Sequence, residues 1–472
     1  MPIVIPDGET ATPCFVGFTE RAPIGADDVA EPQLIDSLLA FERVFGGAHA
    51  PARTLSVALD PLAPSGYLVS DLDSTSAAVP VFQLYGAVRL YFDNGGRRAV
   101  VVSCGDFASP PDSARLLAGL ATVRDTYGNL LVVPDASTLA SVDDYAVVVR
   151  AMLEQCAAAT NRFAVLDVWQ GHHDPHTPIP RHSAVSPSVV QTAPAASRAA
   201  FGNAHLDHGA AYYPFLRVPS DVLASTAPAD VHVSVSGAAA VSLEVLHTID
   251  ASAAAAVRQW LRDEERLLAP SGGVAGIYAR VDIARGIWKA PANESLNDVL
   301  GTAVPLTDVD QHALNVDPAE GKSINAVRMF AGRATLVWGA RTLAGNDNEW
   351  RYVSTRRLVS ALDVQVRRAT AFAVLEPQNP ALWARVCEEG ESVLQAWWRN
   401  GALHGVTVRD AFFVRCGLGR TMTQQDLDEG RLIVEVGLAV VRPAEFIIVS
   451  IGHDRHEPCA STQMSPLSDP RP

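Results

Sequence analysis

The sequence predicts a mixed protein of the α/β and α+β classes, and two observations carry that expectation. The chain has 472 residues, which is more than one ordinary hydrophobic core supports, so two or three domains are expected. Apolar runs at residues 130–133 and 163–168 flank a helical stretch at residues 143–160. A strand, a helix and a second strand at this spacing form a βαβ unit. We therefore expect a parallel or mixed sheet covered by helices.

The composition excludes several classes of function. The net charge is −15 and the pI is near 5.3, which argues against a nucleic-acid partner. Hydrophobic residues make up 48% of the chain and the mean hydropathy is +0.12, yet no apolar run approaches the ~20 residues of a membrane span. The excess of apolar residues instead indicates large buried protein interfaces, and no membrane insertion is expected.

The N-terminus and the cysteines indicate a cytoplasmic protein. Residues 1–10 contain neither the basic segment nor the apolar segment of a secretion signal. The six cysteines have no CxxC spacing, which fits reduced core thiols better than a disulfide framework. They are Cys14, Cys104, Cys156, Cys387, Cys416 and Cys459.

The order of turn-forming and apolar segments predicts a division of the chain into regions. Residues 51–80, rich in Pro, Ser, Ala and Asp, are expected to be a loop insertion, and the Pro-rich and His-rich stretch at 170–197 an exposed loop. The predicted regions are a terminal arm at 1–14, an N-terminal region at 15–84, an α/β domain at 85–340, a C-terminal domain at 341–452 and a flexible tail at 453–472.

Periodicity predicts the individual elements. Asn379 and Pro380 suit the N-cap and the first turn of a helix that ends before Gly401. The turn at 93–96 is expected to join two strands, and the run at 270–273 to end a helix. Further strands are predicted at 15–19, 87–92, 99–103, 212–218, 335–338, 411–415, 432–436 and 445–451. Helices are predicted at 33–45, 251–268, 353–372 and 380–400.

One stretch, residues 328–358, combines arginines with aromatic residues and has no nucleophile, metal ligand or phosphate loop. Its arginines stand among Trp338, Trp350 and Tyr352, a combination suited to packing and ion pairing between protein surfaces. We expect four of them to face acidic partners inside an assembly. They are Arg341, Arg351, Arg356 and Arg357. Reversing the charges of the last two is then expected to disturb assembly and leave the subunit folded.

The same stretch carries a family resemblance. VWGARTL at 337–343 followed by WRYVSTRRL at 350–358 resembles the C-terminal signature of contractile tail sheath proteins, which include those of phage tails, R-type pyocins and extracellular contractile injection systems. Further similar phrases follow in the same order along the chain. They are GFTERAPIG at 17–25, LLAFERVFGG at 38–47, GIYARVDIARGIWKAPANE at 276–294, WWRNGAL at 397–403, AFFVRC at 411–416 and VRPAEFIIVSIG at 441–452.

This resemblance implies a fold and a function. The implied fold has a subtilisin-like α/β middle domain, a C-terminal domain of helices on a sheet, and terminal arms that add strands to neighbouring subunits. The implied function is a helical contractile tube that surrounds an inner tube and drives it through a target envelope without nucleotide hydrolysis. Its implied partners are further copies of itself, the inner tube protein, baseplate and terminator or cap proteins, and a disassembly ATPase. Assembly would take place in the bacterial cytoplasm.

The terminal arms provide the remaining candidate interface residues. Residues 445–451 form a short apolar strand near the chain end, which needs a cover if it is an edge strand. Its apolar centre is Phe446, Ile447, Ile448 and Val449. The chain departs from the family pattern at its start, where only about fifteen residues precede GFTERAPIG. Ile3, Val4 and Ile5 are the candidate for a shortened N-terminal arm.

A metal-binding enzyme is the first alternative. His172, His173, His176 and His182 lie close to Asp167 and Asp174, and three imidazoles could hold zinc with an open catalytic position. The segment is aperiodic and Pro-rich, however, and lacks the helical HExxH pattern. A solvated loop is the expectation, and no metal or cofactor is predicted.

A monomeric hydrolase is the second alternative. Asp167, His208 and Ser271 follow one another in the order of the subtilisin triad. The residues around His208 and Ser271 do not match the sequence settings of that enzyme, so we expect no catalytic triad. No GxxxxGK[ST] phosphate loop occurs either.

Overall fold

A nine-stranded sheet organises the middle of the chain in the computed structural model. The model describes residues 9–22, 31–49, 52–72, 79–123, 127–159, 161–179, 191–220 and 227–443. The described strands are β1 (Pro13–Gly17), β2 (Gln33–Ile35), β3 (Arg53–Leu59), β4 (Tyr67–Asp71), β5 (Ala99–Ser103), β6 (Leu130–Val132), β7 (Phe163–Asp167), β8 (Gly209–Tyr213), β9 (Leu216–Pro219), β10 (Val231–Val235), β11 (Val241–Ser242), β12 (Glu265–Leu268), β13 (Glu294–Ser295), β14 (Gly301–Thr302), β15 (Asn325–Met329), β16 (Thr335–Val337), β17 (Phe412–Cys416) and β18 (Val434–Leu438).

Helices cover both faces of this sheet and form most of the C-terminal part. The described helices are α1 (Leu38–Phe45), α2 (Leu84–Asp93), α3 (Ser113–Ala121), α4 (Val142–Ala158), α5 (Ala193–Phe201), α6 (Leu243–Ile249), α7 (Ala251–Asp263), α8 (Ser271–Arg285), α9 (Asp308–Asn315), α10 (Val353–Ala369), α11 (Pro380–Arg399), α12 (Val408–Ala411) and α13 (Gln424–Asp428).

The nine strands lie in the order β13-β16-β15-β8-β7-β6-β1-β5-β2. The six strands from β15 to β5 pair in parallel, and antiparallel strands flank them at both edges. β5 to β8 are buried along their whole lengths, as expected for parallel strands covered on both faces. The predicted mixed α/β sheet is therefore confirmed, including the unit β6-α4-β7.

The two faces of the sheet carry separate cores. One face packs against α3, α4 and α5, and the other against α1, α2 and α8. α2 and α8 lie unusually close, because Gly272 and Gly276 of α8 face the backbone of α2. A Cβ added to Gly272 would meet the carbonyl oxygen of Ala87 at 2.1 Å, and one on Gly276 that of Tyr91 at 2.6 Å. Glycine is required at both crossing points.

Two element predictions in this region are wrong. Residues 87–92, predicted as a strand, belong to α2, and residues 270–273, predicted to end a helix, open α8. α2 is buried nearly all round, so its apolar run has no helical stripe and cannot be told from a buried strand. The glycines of residues 270–273 serve packing rather than termination.

Residues 51–80 are also different from the prediction. Instead of a loop insertion, they contribute β3 and β4 to a four-stranded sheet of order β11-β10-β3-β4. This sheet packs against α6 and α7 through Leu55, Val57, Val233 and Val257. The unit joins two segments that lie about 180 residues apart in sequence, so local composition did not reveal it.

The C-terminal part consists of α10 and α11 packed on a two-stranded antiparallel ribbon, β17 and β18. Asn379 caps α11 by accepting a hydrogen bond from the backbone of Leu382 at 2.9 Å, and Gly401 follows the helix with φ +87. Both match the sequence prediction. A small sheet of order β12-β9-β14 completes the described strands.

Several predicted boundaries shift. The helix expected at 33–45 is β2 followed by α1, and the strand expected at 212–218 is divided between β8 and β9. The helix expected at 251–268 ends with α7, after which β12 begins. The loop expected at 170–197 already contains the start of α5. These differences place turns and short strands inside segments whose average composition suggested one element.

Candidate assembly surfaces

Arg357 is the most buried member of the arginine set. Its guanidinium donates to the Asp282 carboxylate at 2.6 Å, and the two side chains are only 3% and 4% exposed. It also donates to the carbonyl oxygen of Thr10 at 2.8 Å and lies over the ring of Tyr278. Arg357 thereby joins α10, α8 and the N-terminal segment inside one subunit. We no longer assign it to a contact between subunits.

Arg341 is likewise engaged within the chain. It is 7% exposed, its backbone exchanges hydrogen bonds with the Asn325 side chain, and its guanidinium donates to the carbonyl oxygen of Gly345 at 2.8 Å. These partners, one on β15 and one in the turn after Arg341, lie in the same chain and give no support to the expected acidic partner across an interface. The physical reason is that this arginine fixes the loop before α10.

Arg351 and Arg356 remain partly exposed. Arg356 lies over the Trp350 ring at 4.5 Å and is 3.4 Å from the Asp207 carboxylate. Arg351 donates to Asn348 at 2.8 Å and lies near the Tyr352 ring. Both side chains line the surface at the start of α10, so their contact with a neighbouring subunit stays a prediction.

The ribbon β17–β18 has two edges without a strand partner among the residues that the model describes. Its outer face is formed by Phe413 and Arg415, whose guanidinium lies 4.2 Å from the Phe413 ring. The Phe413 ring covers Gly437 on the neighbouring strand. Edges without a strand partner are suited to pairing with a strand from another chain.

Two predicted interface segments lie outside the described residues. These are the N-terminal piece Ile3, Val4 and Ile5, and the C-terminal piece Phe446, Ile447, Ile448 and Val449. The described chain begins at Glu9, beside Thr10, and ends at Pro443, a few residues after β18. The strand predicted at 445–451 and the role of both segments in assembly therefore stay predictions.

A cleft of about 830 Å³ lies between the end of α8, the loop before α10, and the last described residues. Its walls include Trp288, Trp338 and Tyr352. Its basic lining residues are Arg285, Lys289, Arg341 and Arg442, and no acidic residue is among the lining residues that the model describes. The cleft leaves no signal in the sequence, because its walls come from segments more than 150 residues apart.

The histidines of this loop that the structure describes do not gather at one metal site. The rings of His172 and His173 stack at 4.1 Å, whereas His176 contacts Asp310 at 2.6 Å. Burial, with a smaller contribution from His173, lowers the pKa of His172 to about 4. No group of three or more metal-ligating side chains occurs within the described ranges, which do not include His182. The His172 ring also packs against the Phe215 ring, at 5.7 Å between centroids.

The three residues tested as a hydrolase triad do not meet. Ser271 donates to the Asp167 carboxylate from its hydroxyl at 2.5 Å and from its backbone at 2.7 Å, and both residues are buried. His208, however, precedes β8, whereas Asp167 pairs with Tyr212 at the far end of that strand. Four residues of extended chain, about 13 Å, therefore separate the histidine from the pair. Asp167 fixes the start of α8 and has no imidazole beside it.

Comparison with known proteins favours one of these interpretations. Residues 345–452 match the family described as phage tail sheath C-terminal domain. A tail sheath protein of Burkholderia phage BcepMu is 35% identical over 81 residues, a stretch that spans 17% of this chain and 17% of that relative.

Solved structures extend the similarity to nearly the whole chain. A chain of an extracellular contractile injection system, the PVC sheath complex in its contracted state, is 26% identical with a TM-score of 0.62, covering 96% of this chain and 94% of that one. The contracted helical sheath of the anti-feeding prophage is 26% identical with a TM-score of 0.61, covering 96% of both chains. The resemblance to contractile sheath proteins is confirmed.

For the sheath-like chain described here, the same similarity argues for a structural role. A chain from the baseplate structure of the anti-feeding prophage also matches, with 27% identity, a TM-score of 0.60 and coverage of 95% and 94%. Among the described helices, none is both long enough and apolar enough to cross a membrane. The metal-enzyme and hydrolase alternatives gain no support from these relatives.

Proposed function

We propose that this chain is the sheath subunit of a contractile phage tail or tail-like injection particle. It polymerises into a helical tube of stacked rings around an inner tube, and contraction drives the inner tube through a target envelope. The observation that carries this proposal is the similarity to contracted sheaths over 96% of the chain. The mixed α/β middle part and the helix-on-ribbon C-terminal part support it. We also propose that the middle part, residues 85–340, has a subtilisin-like fold.

Contraction requires two packings of one subunit separated by a free-energy difference. An extended, metastable lattice is released at the baseplate and relaxes to a contracted one. A heterologous contact that does not close on itself generates the helix in both lattices. No nucleotide is consumed in this proposal, in keeping with the absence of a phosphate-loop motif from the sequence. The stored energy comes from assembly alone.

Strand addition links the subunits in our proposal. A two-stranded ribbon is marginal by itself, and β17–β18 has edges that a further strand could extend. The strand would come from the terminal arms of neighbours, through Phe446, Ile447, Ile448 and Val449 and through Ile3, Val4 and Ile5. Such links persist through a change of lattice because their hydrogen bonds lie within the paired strands themselves. Arg351 and Arg356 would contribute charge contacts between subunits.

The proposed partners follow from this role. They are further copies of the chain, the inner tube protein, and the baseplate and terminator or cap proteins, together with an ATPase that disassembles contracted tubes. Assembly takes place in the bacterial cytoplasm. The C-terminal sheath domain spans 341–452, close to the matched region at 345–452.

Negative-stain electron microscopy of the purified protein tests the proposal. We expect rods or stacked rings with a central channel once the protein is concentrated enough for subunits to start a tube. A homogeneous population of isolated particles at concentrations where the protein remains folded would contradict it. The same preparation, assayed for zinc and for ester or peptide hydrolysis, tests the enzyme alternatives.

A further inference from the structure

The cleft beside the end of α8 is lined by basic residues, two of which have no ion-pair partner among the described residues. The chain as a whole has a net charge of −15, yet the cleft is lined by four basic residues and by no described acidic one. Lys289 has Glu294 at 3.5 Å. Arg285 and Arg442 have no ion-pair partner among the residues that the model describes. A cleft of this kind favours an occupant that carries a carboxylate.

The cleft is also apolar and of suitable size. Trp288, Trp338 and Tyr352 supply aromatic walls, and a volume of about 830 Å³ lies in the upper part of the range of binding pockets, roughly 300 to 1,000 Å³. An extended segment with bulky apolar side chains would fill it. The occupant that fits therefore combines a carboxylate with adjacent large apolar residues.

The chain itself supplies such a segment at the right place. Val441, Arg442 and Pro443 line the cleft, so the chain leaves the described structure from inside it. The sequence continues AEFIIVSI, with Glu445 two residues beyond Pro443 and a run of apolar residues directly after it. In an unassembled subunit this run would be an aggregation hazard if it stayed exposed. A cover within the same subunit would remove that hazard.

We propose that in the free subunit residues 445–451 dock into this cleft of their own chain, with Glu445 facing Arg285 and Arg442 and the apolar residues against the aromatic walls. The inference rests on the proposed function, in which the same residues form the tether between subunits. Docking in the same chain keeps the tether unavailable until a growing tube offers a better partner. The subunit pool thus stays soluble while assembly is confined to the tube end.

Hydrogen–deuterium exchange of the full-length protein at high dilution tests the proposal. We expect the backbone amides of residues 445–451 to exchange at least about tenfold more slowly than in an unstructured peptide of the same sequence. The variant Arg285→Glu/Arg442→Glu should restore the fast rate, because it places carboxylates opposite Glu445. Both arginines are exposed, so the fold is expected to persist. Phe446→Ser changes the segment instead of the cleft and should also restore the fast exchange rate.

The matched control is Arg409→Glu/Arg420→Glu, which changes the charge equally at exposed positions away from the cleft and should keep the protection. Three results would overturn the inference: fast exchange in the dilute wild type, protection that appears only as concentration rises, and protection that Arg285→Glu/Arg442→Glu leaves unchanged. Electron microscopy of the concentrated protein is independent of the exchange measurement. Protected tails in the dilute subunit with no rods at high concentration refute the proposed sheath function, whereas rods at high concentration with unprotected tails in the dilute subunit refute the docking alone.

Discussion

At the scale of single residues, the buried pair Arg357–Asp282 links three parts of the chain. The arginine belongs to α10, the aspartate to α8, and Thr10 joins both, donating to Asp282 at 2.5 Å and accepting from Arg357. Each charged group is compensated by the others at very low exposure. Removing one member would leave an uncompensated buried charge. The expectation that a charge reversal here leaves the subunit folded is therefore withdrawn.

Arg357→Ala should lower the free energy of unfolding of the dilute subunit by about 3 to 5 kcal/mol, the usual cost of breaking a buried ion pair. Urea denaturation followed by circular dichroism measures the change. Arg351→Ala is the control, because that side chain is partly exposed and should cost less than about 1 kcal/mol. Equal losses from the two variants would contradict the role given to Arg357.

The buried carboxyl of Asp167 makes the free energy of unfolding depend on pH, and a single substitution can isolate this dependence. Burial raises the pKa of its carboxyl to about 7, against opposing hydrogen bonds from Ser271. The folded state therefore keeps a proton that the unfolded state releases near pH 4. The resulting stabilisation is complete below about pH 4 and is lost as the pH rises to about 7.

Asp167→Asn keeps the hydrogen-bonding pattern of the protonated acid and removes its titration. The stability of this variant relative to wild type should rise with pH between about 4 and 7, by at most about 1.4 kcal/mol per pH unit, and level off above that. Urea denaturation of both proteins across this range measures the difference. A difference that does not change with pH would show that Asp167 does not titrate in the folded state.

The histidine loop should be dispensable for assembly. Replacing His172, His173 and His176 together by Ala removes ring stacking and the contact between His176 and Asp310. His176 is 74% exposed, so this pair contributes little. We expect normal rods by electron microscopy. Stoichiometric zinc by elemental analysis, with rods lost on chelation, would establish a metal role instead.

At the scale of elements, the crossing of α2 and α8 depends on missing side chains. Gly272→Ala would place a Cβ against the backbone of Ala87, and neither backbone can yield without separating the helices. We expect a loss of about 1 to 3 kcal/mol, the usual cost of overpacking, measured by urea denaturation. Gly390→Ala on α11 is the matched control. Its new Cβ meets a methyl group of Val414 at 3.3 Å, and the helix preference of Ala offsets the contact by about 1 kcal/mol.

At the scale of the whole molecule, truncation tests the terminal arms. A chain starting at Cys14 would also remove Thr10 and Thr12, which bond to Asp282 and to Asn129, so it would weaken the subunit itself. A chain starting at Glu9 is the sharper variant. We expect it to fold normally and to form short or disordered rods, since Ile3, Val4 and Ile5 are absent.

The C-terminal truncation ends at Arg442 and removes the whole apolar run at 445–451. It should give folded subunits without long rods, because each link of about five backbone hydrogen bonds, at a net 0.5 to 1.5 kcal/mol each, is lost. Electron microscopy measures rod length, and circular dichroism checks the fold. Rods of wild-type length from both truncated chains would refute the tether.

The sequence by itself determined the fold class, the resemblance to contractile sheath proteins and the elements with strong local signals. The unit β6-α4-β7 was predictable because buried strands are continuous apolar runs. The start of α11 was predictable because Asn379 and Pro380 are typical of an N-cap and a first helical position. The arginine-rich stretch around Tyr352 carried the resemblance to contractile sheath proteins. Local order is visible in sequence when the residues that stabilise an element belong to that element.

Only the tertiary structure decided what depends on distant partners. α2 looked like a strand because burial on all sides erases helical periodicity, and β3 needed β10, far along the chain, to become part of a sheet. The internal role of Arg357 was not visible in the local sequence, because its counterion, Asp282, lies 75 residues away along the chain. The basic cleft exists because several separate segments meet there. Each of these features is stabilised by contacts between segments, and composition and local periodicity do not record such contacts.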